Sequence, residues 1–68
     1  MALIQTFFKE EESGRAKAEI HEIDDGYVIK YYDPRGELVK EEPQPSKYLQ
    51  FAEDAAENWA LGIRVLNG

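Results

Sequence analysis

The dipeptide Asp25-Gly26, set between apolar runs in "EIDDGYVIKYY", constrains this chain more than any other feature. Asp and Gly both tolerate the positive φ angles of a tight two-residue turn, so the pair predicts a β-hairpin. Register follows from the turn, with Asp24 opposite Tyr27 and Ile20 opposite Tyr31. Ala18, Ile20, Ile29 and Tyr31 then share one face. Lys17, Glu19, His21, Ile23, Val28, Lys30 and Tyr32 occupy the other, and a one-residue slip would exchange the two sets.

The hairpin sits inside a longer meander. "ALIQTFFK" (2–9) is rich in β-branched and aromatic residues and predicts a first strand with apolar groups on both faces. "EEESGRA" reads as a solvated hairpin loop leading to a second strand over about 16–23. "DPRG" (33–36) has the Asp, Pro and Gly of a type I turn, which returns the chain into "ELVKEE". "PQP" (43–45) then opposes both regular ladder pairing and helix, and marks an extended connection. In "SKYLQF", Ser46 is a candidate helix cap, while Tyr48 to Phe51 suit an extended segment equally well.

From about 51 to 66 the pattern is helical. Ala52, Ala55, Ala56, Trp59, Ala60, Ile63 and Leu66 recur at three- and four-residue spacing, with Glu53, Asp54, Glu57, Asn58 and Arg64 on the other side. Small alanines allow close approach to a sheet, while Trp59, Ile63 and Leu66 supply bulk, roughly 1.5–3 kcal/mol each if fully buried. Acids in the first turns and Arg64 near the end suit the helix dipole, and Asn67-Gly68 suits a left-handed C-terminal cap. Gly62, inside this helix, costs about 1 kcal/mol relative to Ala. The expected fold is α+β: an antiparallel three- to four-stranded meander sheet (about 2–42) with one C-terminal helix packed on one face, in a single domain spanning 1–68.

At 68 residues, such a domain buries only about 60% of the surface its unfolded chain exposes, so its core is thin. With 43% hydrophobic and 12% aromatic residues it is nonetheless richer in core formers than a disordered chain. The absence of cysteine rules out disulfides and thiolate metal sites and favours a reducing, cytoplasmic setting. No apolar run approaches the roughly 20 residues of a membrane-spanning helix, and "MALIQTFFKEEE" lacks the basic start of a signal peptide. A net charge of −6 repels a phosphate backbone and anionic membranes, which disfavours nucleic acid as a partner.

Candidate chemistry is sparse. His21 lies between Glu19 and Glu22, but on a strand only Glu19 shares its face, and two ligands fall short of a zinc site. Asp24, Asp25 and Asp33 lack the spacing and closing glutamate of a calcium loop and read as turn residues. No nucleophile or phosphate-binding motif occurs, so the expectation is a non-enzymatic protein without cofactor or metal. The remaining candidate site is the outer sheet face: Tyr32, Val28, Lys30, Ile23, His21 and Lys17, apolar groups rimmed by charge as at a protein interface. The alternatives are scattered surface residues or cover by the 41–50 segment folding back.

The segments "LIQTFFK", "DDGYVIKYYDPRGELVKEE" and "AEDAAENWALGIRVLNG", taken in order, resemble the uncharacterised small acidic proteins of T4-like marine cyanobacterial phages, with "EDAAENWALGI" the most distinctive part. The resemblance implies the host-cell cytoplasm as the setting and carries over no functional residues. Strand-strand-strand-strand-helix order also resembles that of some sheet-plus-helix nucleic-acid binders, whose arginine-rich sheets differ from one presenting Lys17 and Lys30. The functional expectation is a protein-interaction module that binds a host or viral protein, with a homodimer as a possible form. An acidic decoy imitating DNA is the alternative, suggested by Glu10 to Glu12 and Glu41 to Glu42, and direct nucleic-acid binding ranks third.

Overall fold

Residues rich in β-branched and aromatic side chains build four strands, β1 (Ala2–Glu11), β2 (Gly14–Ile23), β3 (Gly26–Tyr32) and β4 (Leu38–Gln44), ahead of one helix, α1 (Leu49–Ala60). This computed structural model describes residues 2–44 and 47–65. Every strand pairs antiparallel with its sequence neighbour, in the order β1-β2-β3-β4. The α+β meander with a C-terminal helix on one face is therefore the observed architecture.

The inner face holds the core. Ala16, Ala18, Ile20, Ile29 and Tyr31 from the sheet meet Ala52, Ala56 and Trp59 from the helix, all buried. Alanines on β2 facing alanines on α1 bring the helix close to the sheet. Trp59 fills the space beside them, and its ring meets that of Tyr31 edge to face, with centroids 5.1 Å apart. The Lys9 ammonium lies 5.4 Å from the Trp59 ring centre. The helix packs on β1, β2 and β3, so the inner side of β4 is left to the chain that follows the helix.

The central hairpin departs from expectation in one respect. Ile23 stands opposite Gly26, so Asp24-Asp25 link the strands, and Ile20 pairs with Ile29 and Ala18 with Tyr31. The register thus differs by two residues from the one that a turn centred on Asp25-Gly26 would give. Two residues is one strand period, so both face assignments survive unchanged. The cause is backbone preference: the mirror-image turn needs positive φ at both central positions. No described non-glycine residue has positive φ; Gly26, at φ 148°, takes it instead as the first residue of β3. The next turn forms as its sequence implies. The Gly36 N–H donates to the Asp33 carbonyl at 2.9 Å, while the Asp33 carboxylate accepts from the N–H groups of Arg35 at 3.0 Å and Glu37 at 2.9 Å.

Pro43 does not end the sheet. It pairs opposite Val28, and Gln44 opposite Tyr27, because β4 is an edge strand, where a residue without an N–H can turn that side to solvent. The helix is also shifted from 51–66 to Leu49–Ala60. Tyr48 is its N-cap and makes no side-chain cap bond; the candidate cap Ser46 lies outside the described residues. With that start no acid falls in the first turn, and no base in the last.

Gly62 stops the helix rather than sitting within it. At φ 81° it is the left-handed residue of a Schellman motif: its N–H bonds the Trp59 carbonyl at 3.1 Å, and the Ile63 N–H bonds the Asn58 carbonyl at 2.9 Å. Ile63 consequently leaves the apolar stripe and is exposed. Leu66 and the expected cap Asn67-Gly68 lie outside the described residues.

Candidate protein-binding face

Because side chains alternate along each strand, the face turned away from α1 is laid out in rows across all four strands. One row is Phe8, Lys17, Tyr32 and Leu38; the next is Thr6, Glu19, Lys30 and Glu41; a third is Leu3, His21, Val28 and Pro43. Among the described residues, no helix or strand covers this face. All six residues singled out in the sequence, Lys17, His21, Ile23, Val28, Lys30 and Tyr32, belong to it, with Ile23 at its end beside the Asp24-Asp25 turn.

The middle of the face is ionic and largely self-compensated. Glu19 accepts from the Lys17 ammonium at 3.0 Å and lies 2.9 Å from Nε2 of His21. Lys30 lies 3.9 Å from Glu41, and Arg15 bonds Glu10 at 2.6 Å. Burial pushes the Glu19 carboxyl up. Hydrogen bonds from His21 and Lys17 and the lysine charge outweigh it and hold the group below its ordinary value. Glu22, next in sequence to His21, faces the other way, opposite Tyr27. Among the described residues no three metal-ligating side chains gather at one place.

Apolar groups bound this patch at either end. Leu3, Phe8 and Leu38 are 56%, 54% and 50% exposed. The Arg15 guanidinium lies 5.5 Å from the Phe8 ring centre, and the Lys17 ammonium 5.1 Å from that of Tyr32. Phe8, Leu38 and Leu3 were not among the residues singled out, although the apolar character of both faces of "ALIQTFFK" signals the first and third. Val28 requires a correction in the other direction. Expected to be exposed together with Ile23 and Tyr32, it is only 8% exposed, since His21 and Pro43 stand on either side of it in the adjoining strands; Ile23 and Tyr32 are half-buried, the latter beneath the Lys17 ammonium.

A second polar cluster lies on the inner side of β4, where sequence reading placed nothing. Beyond Gly62 the chain folds back over the sheet, and Arg64, expected at the helix end, crosses to β4. Its Nη1 donates to the Tyr31 hydroxyl at 2.8 Å and its Nη2 to Oε2 of Glu42. The Tyr31 hydroxyl donates to Oε1 of Glu42 at 3.4 Å, and the Gln44 amide donates to the same oxygen at 3.3 Å. Burial, reinforced by the Glu42 charge, pushes the Tyr31 phenol up against the opposing pull of Arg64. The bond to Glu42 leads the causes that raise Arg64 further above its already high value.

An open groove of about 390 Å³ lies by the Asp24-Asp25 turn, lined in part by Glu22, Tyr27 and Lys47. Its walls are the ends of β2 and β3, the turn between them and Lys47 from the β4–α1 connection, without the enclosing apolar lining of a small-molecule site. Among the described residues, no helix is long and apolar enough to cross a membrane. Comparison with protein-family models, curated proteins and solved structures finds no match to this chain.

Proposed function

We propose that this protein is a non-enzymatic protein-interaction module whose outer sheet face docks on another protein, in the setting that the phage resemblance implies: a host or viral partner in the host cytoplasm. The observation that carries the reading is the uncovered row Phe8–Lys17–Tyr32–Leu38. It offers two aromatic rings and an aliphatic side chain spanning all four strands. Aromatic and apolar groups with a polar surround are the composition of interface cores.

The charge arrangement supports a protein partner over nucleic acid. Lys17, Lys30 and Arg15 each stand beside a carboxylate of the same face, which leaves little free positive charge for a phosphate backbone. The acidic-decoy reading loses support on the same ground. Glu41 neighbours Lys30 and Glu42 pairs with Arg64, so those acids do not form a free row of negative charge.

Binding assays at low and high ionic strength separate these classes. Capture of a partner from a host lysate through an apolar row persists at high salt. A decoy complex weakens steeply as salt screens it. Replacing Phe8 and Leu38 with Ser abolishes capture on the interface reading while leaving the melting temperature nearly unchanged. Capture unaffected by that double replacement would contradict the reading.

A further inference from the structure

We propose that Glu42, Tyr31 and Gln44 form a guanidinium-binding site, which Arg64 fills in cis and which an arginine side chain of a partner protein can fill in exchange. The seat belongs to the sheet. Tyr31 is on β3, Glu42 and Gln44 are on β4, and bonds to Glu42 Oε1 from the Tyr31 hydroxyl at 3.4 Å and the Gln44 amide at 3.3 Å orient the carboxylate. That arrangement leaves Oε2 and the phenolic oxygen for the two ends of a planar fork, and Arg64 supplies Nη2 to the one and Nη1 to the other. A forked, permanently charged donor fits such a pair, and a single ammonium does not.

Among the described residues the cis occupant is held by few contacts: in the segment 61–65 that carries it, Leu61, Ile63 and Val65 are 67%, 72% and 74% exposed, so their burial contributes little to holding it on the sheet. Beyond the helix-stop bonds, the backbone of Arg64 bonds the Asn58 carbonyl at 3.1 Å, and its side chain makes the contacts with the seat. Since the seat lies at the edge strand and the chain carries a net charge of −6, an incoming cationic segment is drawn to it. This inference does not rest on the outer-face reading, because the site is on the opposite side of the sheet.

The test uses the full chain and the Arg64→Ala variant, in which the seat is vacated. Binding of N-methylguanidinium is followed by melting temperature and by chemical shifts of Tyr31 and Glu42, with methylammonium at equal ionic strength as control. The expected result is a saturable response in Arg64→Ala to methylguanidinium alone, lost when Glu42→Gln is added. A short arginine-containing peptide should then bind Arg64→Ala at least tenfold more tightly than it binds the unaltered chain, as competition with the cis side chain requires. Should Arg64→Ala not fold, Arg64→Lys serves in its place, since it keeps the charge and loses the fork. An equal response to methylammonium, a response that survives Glu42→Gln, or equal peptide affinity for variant and unaltered chain would each overturn the proposal.

Discussion

Tyr31 and Trp59 meet edge to face, with ring centroids 5.1 Å apart and planes at 67°, and through this contact the helix is keyed to the sheet. Tyr31 is fully buried and Trp59 nearly so. Removing the indole leaves a void between α1 and β3 that surrounding alanines cannot fill. Trp59→Ala should lower stability by about 3–5 kcal/mol, a large share of what a small domain possesses. Chemical denaturation followed by circular dichroism checks this. A cooperative transition close to that of the unaltered chain would show that the contact contributes little.

The helix stop makes a separate prediction. A Cβ on Gly62 would meet nothing within 4 Å, so the effect of Gly62→Ala comes from its φ of 81° alone. It should destabilise by about 1–2 kcal/mol, the penalty of the left-handed region for an L-residue. Gly62→Asn should recover part of that loss, as Asn tolerates the same region. A stabilising Gly62→Ala, measured by thermal melting, would indicate that the helix continues through this position as its spacing alone suggests.

Faces, more than details, were legible from the residue pattern. The burial of Ala18, Ile20, Ile29 and Tyr31 follows from period-two alternation with the parity set by the hairpin turn, and it tolerates a turn displaced by two residues because that displacement equals one full period. Helix termination was not legible in the same way. "ALGI" continues the apolar spacing of the helix, and only the left-handed Gly62 reveals that the place of Ile63 in it is coincidence. Pro43 misled for a related reason: its effect depends on whether β4 is an edge, which is a property of the sheet and not of the segment. The Arg64–Glu42 pair joins residues far apart in sequence and leaves no local signal at either.

Two titrating groups contribute to stability at opposite ends of the pH range. The folded Glu19 carboxyl is held below its ordinary value because hydrogen bonds and the lysine charge outweigh its burial. Its contribution is therefore present above the unfolded value of about 4.3 and is lost as pH falls through the lower folded one. Tyr31 is raised, by burial first. Its contribution is present below the unfolded value of about 10 and is lost as pH rises through the higher folded one. Urea midpoints measured across pH should fall at both ends, with Glu19→Gln making the acid limb shallower and Tyr31→Phe the alkaline limb. Unchanged limbs in both variants would contradict these assignments. At neutral pH, Tyr31→Phe should still lower stability by about 1 kcal/mol through the loss of the hydroxyl's bonds to Arg64 and Glu42.

On the proposed function the outer face binds while the inner face folds, and the adjacent tyrosines of β3 separate the two roles on neighbouring residues. Tyr31 points into the core and Tyr32 stands in the uncovered row with Phe8, Lys17 and Leu38. The most direct measurement compares Tyr31→Ala with Tyr32→Ala for melting temperature and for partner capture from a host lysate. Tyr31→Ala should unfold or severely destabilise the chain, whereas Tyr32→Ala should melt near the unaltered protein and lose capture, a truncation worth about 2 kcal/mol or more of binding at an interface hot spot. Full capture by a stably folded Tyr32→Ala variant would contradict the proposed function.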